Sequence, residues 1–140
     1  NYGLILGWTS IEDSINLVPI ILYIGAIFWT LGYDTIYGYQ DINDDEIIGL
    51  KSTSIKFKEY PKKFLFVVYG LFISSLIVVG IFMNFKIFYF LLLIIPIYYL
   101  FFYQIFSFQK QNSSNCLKIF KNNNLLGLIV FSNILLGKLI

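Results

Sequence analysis

The chain has 140 residues, of which 58% are apolar and 13% charged, with a net charge of +2 and a mean hydropathy of +0.75. A soluble domain carries roughly a quarter charged residues, so no water-facing surface can be built here, and the apolar load excludes intrinsic disorder. With no His, no Arg and one cysteine, Cys116, the sequence excludes a Ser-His-Asp triad, an imidazole metal ligand, an intramolecular disulfide, a four-cysteine zinc site and a nucleic-acid footprint.

In chain order, Tyr2–Trp8 reads as the tail of an earlier helix. The chain opens at Asn1 just before an apolar run, and is read as a fragment whose N-terminal part lies outside it; no signal peptide is visible. Four uncharged stretches follow, at 14–33, 64–85, 87–109 and 122–137. A helix needs about 20 apolar residues to cross a bilayer. The first three have that length, and the fourth reaches it by extending back through Cys116–Phe120 while Lys118 and Lys121 snorkel. None alternates as a β-barrel strand would. The expected fold is all-α, a polytopic transmembrane helical bundle of about four spans plus a leading helix fragment. Pro96 falls mid-span and predicts a kink.

The connections are Ser10–Asp13, Gln40–Lys63, Asn84–Lys86 and Lys110–Asn115. Alternation puts Gln40–Lys63 and Lys110–Lys121 on one side, and these regions hold eight of the ten lysines. By the positive-inside rule that side is cytoplasmic.

Five of the eight acidic residues cluster within Asp34–Glu46: Asp34, Asp41, Asp44, Asp45 and Glu46. If the first span continues as a helix, Asp34, Asp41 and Asp45 share one stripe with Tyr37 and Gly38. Stacked carboxylates repel unless a divalent cation sits between them, and an all-oxygen set suits Mg²⁺. The competing reading of Asp41–Glu46 is a solvated helix end. An EF-hand reading fails, because Glu46 and Ser52 stand where the loop needs Gly and Glu. Gly49-Leu-Lys51-Ser52-Thr53 is not a P-loop, yet a glycine, an ammonium and two hydroxyls suit a phosphate. A topology-setting lysine in a turn is the alternative.

Tyr33-Asp34-Thr-Ile-Tyr37-Gly-Tyr-Gln-Asp41-Ile-Asn-Asp44-Asp45-Glu-Ile-Ile-Gly49-Leu-Lys51-Ser52-Thr53 resembles the second aspartate-rich motif of the UbiA superfamily of intramembrane prenyltransferases, in its 4-hydroxybenzoate branch. Trp29 fits, as does Cys116-Leu-Lys-Ile-Phe120-Lys-Asn122-Asn-Asn124-Leu-Leu-Gly127, which is similar to that family's last helix. Gly38 replaces a usual Ala, taken as a trivial change. The family's first motif, N-D-x-x-D-x-x-x-D, is absent, so residues 1–140 read as the C-terminal half of one UbiA-like domain, holding half a site.

The resemblance implies Mg²⁺-dependent transfer of a polyprenyl group from polyprenyl diphosphate to 4-hydroxybenzoate, in ubiquinone biosynthesis. It implies Asp34, Asp41 and Asp45 as metal ligands, Lys51 on the diphosphate and Tyr37 lining the pocket. Asp34, Asp41 and Lys51 would be the catalytic set. Implied partners are both substrates, the lipid bilayer and the missing N-terminal half, with no nucleic acid. The implied location is the bacterial inner membrane, site facing the cytoplasm. Two alternatives are a UbiA-type enzyme with another acceptor (homogentisate, dihydroxynaphthoate or protoheme) and a non-enzymatic cation transporter or channel.

Overall fold

The computed structural model describes residues 2–12 and 16–139. Among them there is no strand. The helices are α1 (Tyr2–Glu12), α2 (Leu17–Gly38), α3 (Ile42–Ile47), α4 (Thr53–Lys56), α5 (Pro61–Phe82), α6 (Ile87–Leu92), α7 (Ile94–Ile97) and α8 (Ser113–Leu139), with a π-helical segment over Tyr98–Ile105 between α7 and α8. Four spans are long and apolar enough to cross a membrane: α2, α5, Ile87–Ile105 and α8. This matches the expected all-α bundle with a leading helix. Asp13 and Ser14, in the expected first connection and span start, lie outside the described residues.

Helix ends follow local chemistry. Asn16 starts α2 by accepting the Val18 N–H at 3.0 Å, and Pro61 opens α5, where its missing N–H costs nothing. Asn84 takes a φ of +53° in the tight turn after α5, a conformation asparagine tolerates better than most residues. Asn112 accepts the Asn115 N–H at 3.0 Å and so heads α8. That helix therefore begins three residues earlier than Cys116, the earliest start expected, and Lys118 and Lys121 lie on it, exposed.

Pro96 lies in a span that is not a regular helix. It cannot donate to the preceding turn, and the third span is interrupted at Leu93 and then widens into the π-helical stretch.

The tightest packing joins α2 to α5 through small residues. A Cβ on Gly25 would strike the Ser75 side chain, and one on Gly32 the Tyr69 ring. Glycine lets the two backbones approach, as membrane helix pairs require. Trp29 stacks on Phe72 at 5.4 Å beside this seam.

A polar network crosses the apolar interior and ties all four spans together. Tyr69 donates to Gln104 Oε1 at 2.8 Å, and Gln104 Nε2 donates to Asn123 Oδ1 at 2.9 Å. Trp29 Nε1 donates to the same oxygen at 3.1 Å. Asn123 Nδ2 donates back to the Ile119 and Phe120 carbonyls. Gln104 is fully buried and Asn123 nearly so. Without these mutual bonds each group would face a large desolvation penalty.

The two lysine-rich connections meet on one side, as alternation requires. Tyr39 packs against Phe108 at 5.2 Å, and Lys110 Nζ donates to the Lys58 carbonyl at 3.3 Å.

Candidate functional site

The acidic segment is not one helix. α2 ends at Gly38, residues 39–41 turn, and α3 starts at Ile42. Asp34 therefore belongs to α2, Asp41 to the turn and Asp45 to α3, which corrects the expected continuous stripe. The physical reason is local: the Tyr39 and Gln40 N–H groups bond back to the Ile36 and Tyr37 carbonyls at 3.2 and 2.9 Å, tightening the last turn and ending the helix. Tyr39 is then buried, donating its hydroxyl to the Phe57 carbonyl at 3.3 Å. Burial pushes that phenol up to about 12, so it remains a neutral donor at ordinary pH.

Asp34 and Tyr37 lie exposed, one turn apart on α2, on the face away from the glycine seam. A carboxylate at membrane depth is expected to face the interior of a bundle, but these four spans leave Asp34 uncovered. Beside it an aromatic wall joins α2 to α8. Phe120 lies 4.6 Å from Tyr37 and 5.7 Å from Tyr33, and Tyr33 meets Trp29 at 5.7 Å. Tyr37 is part of this wall through its contact with Phe120.

Asp41 and Asp44 line one cavity of about 530 Å³ with Tyr39, Gln40, Lys58 and Lys110. Asp45 does not line it. The expected stripe included Asp45 and not Asp44, whereas this cavity is lined by Asp44 and not Asp45. Lys58 and Lys110, read from the sequence only as topology signals, are the lysines that face these aspartates. The signal that pairs them with Asp41 is tertiary. Lys58 is already engaged, since it holds Glu46 at 2.6 Å in the one ion pair among the described residues. The four aspartates have no lysine partner there.

Gly49 takes a φ of +73°, a conformation that glycine adopts without strain. Lys51 follows, exposed, in a cavity of about 370 Å³ shared with Ser52, Thr53 and Lys56. This is a different cavity from that of Asp41. The two hydroxyls read as phosphate contacts have structural work instead. Ser52 caps α4 by accepting the Ile55 N–H at 3.4 Å and bonds Ser54 at 2.8 Å. Thr35 donates its single proton to the Leu31 carbonyl at 2.6 Å, so in the 2.6 Å contact with Thr53 it is Thr53 that donates. The motif threonines therefore fasten α4 to α2. Gly38 belongs to the same joint: a Cβ there would lie 2.6 Å from Ser54 Oγ and 3.2 Å from its Cβ. Alanine at this position is not the trivial change expected, because Ser54 must give way.

The donor set fits a divalent cation in kind. The aspartates offer carboxylate oxygens free of ion pairing, as Mg²⁺ prefers. No group of three metal-ligating side chains converges among the described residues.

Residues 2–131 match the UbiA prenyltransferase family. Over 140 residues the chain is 37% identical to the cattle (Bos taurus) protein named 4-hydroxybenzoate polyprenyltransferase, mitochondrial, and 38% to its human (Homo sapiens) counterpart, covering 99% of this chain and 38% of each relative. It is 32% identical over 131 residues to the 4-hydroxybenzoate octaprenyltransferase of Francisella tularensis, covering 94% of this chain and 46% of that protein. The chain thus spans less than half the length of these relatives. No solved structure matches it. The family match over almost the whole length, with the aspartate-rich segment laid beside an aromatic wall in an all-helical membrane bundle, shows that the chain belongs to the UbiA prenyltransferase family.

Proposed function

We propose that the chain is part of an intramembrane aromatic prenyltransferase that moves a polyprenyl group from polyprenyl diphosphate to 4-hydroxybenzoate, a step towards ubiquinone. The observation that carries this reading is the placement of Asp34, unpaired and uncovered, beside the aromatic wall of α2 and α8. A carboxylate on a lipid-facing helix surface is costly. The exposed face of α2 is therefore covered in the whole protein by a polar cavity, and relatives more than twice as long have the chain to build it. The acceptor follows the relatives' names. The membrane is a bacterial inner membrane or its mitochondrial counterpart, with the lysine-rich face towards cytoplasm or matrix.

Asp34 and Asp41 would hold Mg²⁺, with Asp44 or Asp45 completing the set. Bound there, the metal supplies charge that stabilises the departing diphosphate. Lys51 adds an ammonium. It is exposed and unpaired, whereas Lys58 is held by Glu46 and Lys110 by a carbonyl. The allylic C–O bond breaks with its electron pair on diphosphate. The ring carbon ortho to the phenol then attacks the allyl cation, and loss of its proton restores aromaticity. Tyr33, Tyr37 and Phe120 exclude water and present π faces to the cation.

Membranes holding the full-length protein, given geranyl diphosphate and 4-hydroxybenzoate, should form the 3-geranyl product; EDTA should abolish it and Mg²⁺ restore it. Undiminished turnover after EDTA would remove the metal from the proposal. Lys51→Ala should lower kcat/KM for the donor by roughly 10- to 100-fold, the equivalent of a lost charge-assisted contact of about 1.5–3 kcal/mol, with Lys51→Arg restoring part. Unchanged kinetics would leave Lys51 a topology signal.

A further inference from the structure

We infer that the lysine-rich end of α5 is a docking site for an anionic phospholipid of the surrounding bilayer. Two cavities meet there. One, of about 420 Å³, is lined by Lys62, Lys63, Lys110 and Glu59. The other, of about 600 Å³, runs between α2 and α5 along Phe28, Leu31, Val67 and Leu71. Tyr60 and Lys63 line both.

The first cavity gathers three ammonium groups against one carboxylate. None of the three lysines is in an ion pair among the described residues. Two of them are held in place: the Lys63 ammonium sits 5.0 Å above the Tyr60 ring, and Lys110 is fastened to the Lys58 carbonyl. The second cavity has an apolar floor except where Lys63 and Tyr60 join it to the first.

A cationic recess opening onto an apolar trench at the membrane interface matches one chemistry: a phosphodiester headgroup with an acyl chain beneath it. Soluble phosphate would fill only the recess. A zwitterionic lipid brings its own ammonium against the lysines. The site rests on the membrane reading and shares Lys110 with the Asp41 cavity, but uses none of the residues given a role in prenyl transfer.

The full-length protein in phosphatidylcholine nanodiscs, with and without phosphatidylglycerol, tests this. Cys116 is buried, so a thiol-reactive dye reports unfolding. Phosphatidylglycerol should raise Tm by about 3 °C or more. Lys62→Gln/Lys63→Gln should lose that shift, and Lys86→Gln, at the opposite end, should keep it. Leu71→Trp, which fills the trench without touching a charge, should shrink the shift even if the double variant folds poorly. The inference is overturned if the double variant keeps the full shift, if Lys86→Gln loses it equally, or if inorganic phosphate reproduces it. It is also overturned if geranyl diphosphate in EDTA cancels it, because the trench would then belong to the prenyl donor.

Discussion

Asp34→Asn is expected to lower prenyl transfer by about 10²- to 10³-fold, the range seen when one preorganised electrostatic contact to a developing charge is removed. Asparagine keeps the shape and loses the charge. Asp34 is exposed and has no lysine partner among the described residues, so folding should not suffer and Tm should stay within a degree or two. The loss should fall mainly on kcat and on the Mg²⁺ concentration needed for half activity. Asp44→Asn belongs in the same experiment, since the cavity shared with Asp41 now makes it a large-effect position. Glu46→Gln should be mild: it breaks a half-exposed ion pair with Lys58, worth about 0–1 kcal/mol. If Asp34→Asn turns over like the wild type while Glu46→Gln fails, the metal site has been placed on the wrong carboxylates.

Asn123→Leu is expected to cost about 2–4 kcal/mol. Leucine has a similar volume but no acceptor, so Gln104 Nε2 and Trp29 Nε1 both lose their partner, at roughly 1–3 kcal/mol for each buried group left unsatisfied. Asn124→Leu, one residue along on the exposed face of α8, should be nearly neutral. Thermal melts of the two variants in the same detergent make the comparison. Equal stability of both would mean that water or lipid replaces the lost bonds and that the network does not hold the spans together.

The membrane bundle, its four spans and the side that gathers the lysines were all legible in the chain. Each depends on properties that add up along a local stretch: hydropathy and charge count. The site was legible only in part. Asp34 and Tyr37 are neighbours on a helix that does form. The stripe through Asp41 and Asp45 failed because Tyr39 and Gln40 bond back into the preceding turn, and no residue type in 34–45 announces that. Thr53 looked like a phosphate ligand because its proton has a free acceptor in the sequence; in the fold that acceptor is Thr35. Gln104 and Asn123, side-chain amides in uncharged spans, were local hints of the buried network, since such a group at membrane depth needs partners, but the partners of Gln104 lie 19 and 35 residues away.

The network also implies an order of assembly. α2 and α5 precede the other two membrane-length helices described, and their Gly25–Gly32 seam needs nothing later in the chain, so they can pair as a hairpin while synthesis continues. Gln104 can then meet Tyr69. The indole of Trp29 and the amide of Gln104 must wait for α8, whose Asn123 serves both. α8 thus acts as a latch on the three spans before it, and a chain truncated before Asn123 would present two unlatched donors to the quality-control machinery of the membrane.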